Sequence, residues 1–144
     1  MQKCNIIVVL REDEVLMQFK LRGPFSNMWN FPGGKIEETD NHVKTSAVRE
    51  LKEETNIEVN CNELVYLAEF IYHHVCPVNL HILAYRVDKN TQFTQCEDEP
   101  LTWTKTQLII DNKLPTAGYL NVPHIVQLAV EFYKNLDKET GGSE

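Results

Sequence analysis

No run of apolar residues in this chain of 144 approaches the roughly twenty needed to span a bilayer, so a membrane helix is excluded from the reading. The N-terminus, Met1-Gln2-Lys3-Cys4, lacks the apolar stretch of a signal peptide, and a cytoplasmic location is expected. Cysteine is sparse: Cys4, Cys61, Cys76 and Cys96 are scattered and form no C-x-x-C pair. That argues against a disulfide framework or a zinc cage and leaves free thiols in a reducing compartment. Basic residues are in the minority, 14 Lys and Arg against 21 Asp and Glu, for a formal charge of −7. Duplex nucleic acid needs clustered Lys and Arg and is therefore not the expected partner. The same acidity is compatible with a small phosphate substrate if a divalent cation supplies the positive charge. Repeats, low-complexity segments and linkers are also missing. What remains is an ordinary globular composition, 42% apolar and 24% charged, at a length that buries a core without staples. We expect one domain over residues 1–136 and a flexible polar tail over 137–144.

Asn5 to Leu10 is a short apolar run rich in β-branched residues and predicts a buried strand. Polar residues Arg11 to Glu14 form a turn, and Val15 to Lys20 continues as the second strand of a hairpin. Leu21 to Trp29 holds Gly23, Pro24, Ser26 and Asn27 and reads as a loop. Asn30-Phe31 is extended because Pro32 restricts the residue before it. A helical period runs from about Asn41 to Thr55. Leu64 to Val75 and Leu80 to Val87 predict two longer strands, antiparallel around Pro77. Thr102 to Thr104 predicts a brief strand before a short helix over Lys105 to Ile110. The last helix is amphipathic, with Asn121 as N-cap, Pro123 in the first turn, and Ile125, Leu128, Ala129 and Phe132 on one face through Leu136. The pattern is α+β: a mixed sheet in an α/β/α sandwich.

The chemistry concentrates in Arg49-Glu50-Leu51-Lys52-Glu53-Glu54. At about 100° per residue, Glu50, Glu53 and Glu54 share a wedge of roughly 100°, beside the core-facing wedge of Ala47, Val48 and Leu51. Like charges at these spacings cost a helix a few tenths of a kcal/mol per pair. A hard divalent cation, which takes oxygen ligands, reverses that penalty. Arg49, one turn before Glu53, is placed to orient it by an ion pair. A solvated acidic helix face would account for the carboxylates alone. It does not explain Phe31-Pro32-Gly33-Gly34-Lys35-Ile36-Glu37 immediately upstream, where paired glycines let the backbone turn and approach a metal or phosphate.

The stretch FPGGKIEETDNHVKTSAVRELKEETNI resembles the Nudix box, G-x5-E-x7-R-E-U-x-E-E-x-G-U with U aliphatic, and its FPGGKIE entry is similar to MutT-type members. It departs from the pattern twice. Fourteen residues separate Gly34 from Arg49 where the pattern has thirteen, leaving Glu38, Asp40 or Asn41 to replace the first motif glutamate. Asn56 stands where the motif has glycine, a position that ends a helix in left-handed geometry and that Asn tolerates best after Gly. The resemblance implies a Nudix fold and a hydrolase that attacks a phosphoric anhydride with water under Mg²⁺ (Mn²⁺ can substitute). It implies Gly34, Glu50, Glu53 and Glu54 as metal ligands, with Glu53, Glu50 and Arg49 in catalysis. Many members add a carboxylate from a later loop. Here Glu97-Asp98-Glu99 offers three, of which Glu99 is our choice, against a solvated acidic loop. Lys20 is a candidate for phosphate, or a surface lysine.

Two further stretches resemble purine triphosphate sanitising members. Lys20-Leu21-Arg22-Gly23-Pro24-Phe25 with Trp29-Asn30 suggests Asn30 as base reader, and Leu120-Asn121-Val122-Pro123 suggests Asn121. An Asn amide suits a purine edge, and Phe25, Trp29 or Tyr119 would stack on the base. Capping by Asn121, packing by Trp29 and a strand-end role for Asn30 are the plain alternatives. His73 and His74 follow Tyr72 on a strand and point to opposite faces, so packing is favoured over metal binding. The expected partner is a small nucleotide, handled by a monomer or homodimer. The leading substrate is a nucleoside triphosphate, for example 8-oxo-dGTP. ADP-ribose or a dinucleoside polyphosphate is the alternative, and a nucleotide sensor without hydrolysis is the third reading.

Overall fold

The computed structural model describes residues 1–23, 25–40, 42–74, 77–116 and 121–141. Asn41, Val75, Cys76, Tyr119, Leu120 and the end of the expected tail lie outside these, as does Pro24. Strand β1 (Gln2–Arg11) organises the molecule. Its run Ile6 to Leu10 is buried on both faces of the sheet, and the strand's two-residue period divides it. Ile6, Val8 and Leu10 join one core cluster, while Ile7 and Val9 join the other. That is why the run is continuous rather than alternating.

β1 outruns the expected Asn5–Leu10 because backbone pairing, not side-chain hydrophobicity, sets its length. It pairs in parallel with β6 (Val78–Val87) from Gln2↔Val78 to Arg11↔Val87. β6 in turn pairs antiparallel with β5 (Val65–Tyr72), as expected around Pro77. On its other edge β1 meets β2 (Glu14–Phe19) only at the hairpin, Leu10↔Val15 and Arg11↔Glu14. Beyond that the two strands splay, and residues 29–35 fill the wedge. β3 (Trp29–Asn30) pairs with β2 through Gln18↔Asn30, and β4 (Gly33–Lys35) pairs with β1 through Asn5↔Gly34. The Ile7 N–H donates to the Pro32 carbonyl at 2.9 Å between them. The glycine pair expected as a simple bend is therefore a strand. Gly33 is required there because a Cβ would collide with the Asn5 carbonyl oxygen. β7 (Leu101–Lys105) closes the outer edge of β2.

Helix α1 (Val43–Thr55) covers one face, burying Ala47 and Leu51 against Ile7, Val9, Leu16 and Leu83. Helices α2 (Thr106–Ile110) and α3 (Val122–Glu139) cover the other, where Ile109, Ile125, Val126 and Ala129 meet Ile6, Val8 and Met17. The mixed sheet between helices is the expected α/β/α arrangement.

Four expectations need correction. The helix expected from about Asn41 begins at Val43, with His42 as its N-cap, the Nδ1 accepting the Lys44 N–H at 3.1 Å. β5 stops at Tyr72, so His73 and His74 follow the strand instead of lying on it. Asn121 precedes α3 in left-handed geometry (φ 59, ψ 39) with no side-chain capping bond. Capping needs an extended residue whose side chain swings back to the N2 or N3 amide, and this conformation aims it elsewhere. Finally, α3 runs to Glu139 where helix was expected to end at Leu136. The Arg86 guanidinium meets Asp137 at 2.9 Å and gives the last turn a polar anchor.

Candidate active site

α1 presents its three glutamates at graded depth. Glu54 is buried, 6% exposed, while the Glu50 side chain is 15% exposed and that of Glu53 55%. Asn56 ends the helix in the left-handed conformation expected of it (φ 61), its N–H donating to the Lys52 carbonyl at 3.0 Å. The β1–β4 pairing sets Gly34 against the helix so closely that a Cβ there would stand 2.9 Å from the Glu50 carboxyl carbon. Glycine is what lets that carboxylate lie on the strand.

Burial pushes the Glu54 carboxyl up to about 8, and its hydrogen bond with Glu50 adds to the rise. Lys20 and a hydrogen bond from Gln18 pull it back in part. Two carboxyls thus touch in a poorly solvated place, and a proton between them relieves their repulsion. A divalent cation would relieve it better. The oxygen-only donor set of Glu50 and Glu54 beside Gly34 suits a hard ion such as Mg²⁺ or Mn²⁺. Among the described residues no group of three or more His, Cys, Asp and Glu forms a ready-made cage. Glu53 is the proposed ligand that stands apart, turned outward towards Arg49.

Arg49 is the hub of the acidic cluster. Its guanidinium reaches Asp40 at 3.0 Å, Glu50 at 3.1 Å, Glu53 at 3.5 Å and Glu37 at 3.6 Å. The bond to Asp40 chiefly, with the surrounding carboxylates, raises Arg49 beyond its ordinary value despite the opposing effect of burial. Asp40 is held low by that guanidinium and by the Glu37 N–H, which donates to it at 2.8 Å. Gly34-x5-Asp40 keeps the motif's own spacing, which puts the extra residue between Asp40 and Arg49. Glu38 makes no such contact among the described residues; Asn41 lies outside them.

A polar chain runs from Glu54 to the loop before β7. Gln18, buried on the α1 face of β2, donates Nε2–H to Glu54 Oε1 at 3.0 Å and accepts the Lys20 ammonium. Lys20 stands 3.9 Å from Glu99, which also accepts the Leu21 N–H at 2.8 Å and lies 3.7 Å from Arg22. Arg22 also pairs with Asp98. Glu99 is thus built into the site's edge, while Glu97 gives its backbone carbonyl to Gln95 and adds its charge to those around Arg22. Sequence reading missed Gln18, whose signal was a single polar side chain inside the apolar strand EVLMQF.

Beside Gly34 a cavity of about 170 Å³ opens, walled by Lys20, Phe25, Asn30 and Phe31 over a floor of Ile6 and Leu80. Asn30 is buried, its Oδ1 accepting the Phe31 N–H at 2.8 Å. Trp29 does not line this cavity. Its ring packs edge-on against Phe19, centroids 5.0 Å apart, and its backbone N–H donates to the Pro115 carbonyl. Asn121 is elsewhere too. It hydrogen-bonds Tyr72 and, with Phe70 and His124, borders a second recess of about 430 Å³ between β5 and α3. Strand pairs Phe70↔Leu80 and Tyr72↔Val78 set the two recesses side by side.

A family model described as NUDIX domain matches residues 2–118. No curated protein matches the sequence. Among solved structures, the chain is similar to the NUDIX domain of Shewanella oneidensis NrtR complexed with ADP ribose (17% identity, 91% of this chain and 87% of that one, TM-score 0.76). It is similar to a C. elegans Ap4A hydrolase in a binary complex (18% identity, 94% and 99%, TM-score 0.72). It is also similar to a mutator MutT protein from Bacillus halodurans (26% identity, 88% and 80%, TM-score 0.64). Longer proteins match as well: the chain spans 42% of the length of a MutT/nudix family protein from Enterococcus faecalis.

Proposed function

The chain belongs to the NUDIX domain family, and from that premise we propose that it hydrolyses a nucleoside triphosphate to a nucleoside monophosphate and pyrophosphate with Mg²⁺ bound. The observation that carries this reading is the Glu50–Glu54 carboxyl pair, held against Gly34 at the edge of a cavity walled by Asn30, Phe25 and Lys20. The purine of the substrate, 8-oxo-dGTP being one candidate, enters the cavity against Phe25 with the Asn30 amide at its edge. The triphosphate leaves through the mouth, where Lys20 stands as a cation.

When bound, the metal neutralises phosphoryl charge and acidifies a water molecule. Glu50 and Glu54 would hold it, and Arg49 fixes Glu50 and Glu53 through a guanidinium itself fixed by Asp40. Glu53, exposed on the last turn of α1, and Glu99, 3.9 Å from the cavity-lining Lys20, are the carboxylates placed to accept a proton. Water oxygen bonds to phosphorus, the bridging P–O bond breaks with its electrons going to pyrophosphate, and the water's proton passes to that carboxylate.

A second reading, hydrolysis of ADP-ribose or a dinucleoside polyphosphate, rests on the second recess at Tyr72 and Asn121. Two adjacent recesses suit a substrate with two nucleoside-sized ends. Retention of Arg49, Glu50, Glu53 and Glu54 favours an enzyme over a non-catalytic sensor. A panel of canonical and oxidised triphosphates, ADP-ribose and diadenosine polyphosphates with Mg²⁺ tests the choice. Pyrophosphate released from triphosphates alone is the expected result. Turnover of ADP-ribose or diadenosine polyphosphates alone would overturn the leading reading.

A further inference from the structure

We propose that Gln18 is a positioning residue for metal binding, locking the Glu54 carboxyl through one end of its amide and the Lys20 ammonium through the other. Gln18 is 1% exposed and lies on β2, directly across from Asn30. A buried amide in an apolar strand needs both ends satisfied. Here Nε2 donates to Glu54 at 3.0 Å and Oε1 accepts from Lys20. The orientation is fixed in both senses. Turning the amide over would set its carbonyl oxygen against the Glu54 oxygen and its NH₂ group against the ammonium, two repulsive contacts in place of two hydrogen bonds. Glu54 therefore has one oxygen committed to Gln18 and is held in one rotamer beside Glu50. A ligand prearranged this way loses less freedom on metal binding than one that must be gathered. The same amide joins two parts of the site, because Lys20 is held between Gln18 and Glu99 at the cavity mouth.

The inference rests on the metal assignment proposed above, and the test separates the two. Mn²⁺ binding without nucleotide is titrated by the electron-paramagnetic-resonance signal of the free ion. Wild type should bind, and the Glu50→Gln, Glu54→Gln double variant should not. A wild type that bound no Mn²⁺ would overturn the metal assignment, and this proposal with it. Given binding, Gln18→Met should weaken affinity about 10- to 100-fold, the effect typical of losing a partner to a metal ligand. Gln18→Asn, which stays polar but is a methylene too short to reach Glu54, should show the same loss and guards against failure of the Met variant to fold. In a Glu54→Gln background Gln18→Met should add no further loss, since the carboxylate it positions is gone. Wild-type Mn²⁺ affinity in both Gln18 variants, or an equal loss from Gln18→Met in either background, would refute the positioning role.

Discussion

Replacing Glu54 by Gln should abolish turnover and at the same time stabilise the metal-free protein in alkali. Glu54 is 6% exposed and shares a hydrogen bond with Glu50. Its folded-state pKa is raised from 4.5 to about 8, burial being the larger cause and Glu50 the next. Because the folded value lies above the unfolded one, the native state holds a proton that the unfolded chain has released. Stability from this group is complete below about pH 4.5 and is lost as pH climbs through about 8. At 1.36 kcal/mol per unit, the loss across that window is up to about 5 kcal/mol. A glutamine cannot ionise, yet it reproduces the neutral acid: its carbonyl accepts from Gln18 and its NH₂ donates to Glu50. Urea unfolding in EDTA between about pH 5 and pH 9 should show wild type losing stability with rising pH while Glu54→Gln loses much less. The curves should converge near pH 5, and added Mn²⁺ should flatten the wild-type curve alone. Parallel curves across the whole range would refute the buried carboxyl pair.

Other substitutions read the remaining parts of the site. Arg49→Lys should lower kcat by at least about 100-fold with little change in fold, because an ammonium cannot fork to Asp40, Glu50 and Glu53 together; kcat near wild type would contradict the hub role. Gly34→Ala should weaken Mn²⁺ binding about tenfold or more by driving the Glu50 carboxylate off β4, read by the same titration. Asn30→Ala should raise KM for a purine triphosphate about 10-fold while leaving kcat nearly intact, and Asn121→Ala should not. The reverse pattern in steady-state kinetics would move the base to the second recess.

The site's legibility in the sequence varied residue by residue. Glu50 and Glu54 were legible because a helix fixes angular positions locally, and Ala47 and Leu51 on the adjoining wedge told which side would be buried. Asn56 was legible because few residues accept left-handed geometry. The replacement for the first motif glutamate was not, since Glu38, Asp40 and Asn41 all fit a loop of uncertain register; of the two that the structure describes, Asp40 contacts Arg49. Glu53 shared the wedge but faces solvent, because a period of 3.6 specifies an angle and not how far the sheet extends beneath it. Trp29 shows the opposite limit: an aromatic beside a candidate base reader turned out to pack on Phe19.

By itself the sequence determined the features that depend on near neighbours along the chain: the apolar strand at the centre, the carboxylate helix with its Asn56 end, the glycine pair ahead of it, and with these the family. The tertiary structure decided the features that depend on distant segments meeting. Splaying of β1 from β2 admits residues 29–35 between them and brings Gly34 onto Glu50. Strand register sets Gln18 between Glu54 and Lys20, and sheet width puts Asn30 and Asn121 in separate recesses. Periodicity acts over a few residues, whereas cross-strand distances are fixed only once backbone hydrogen bonds lock the register.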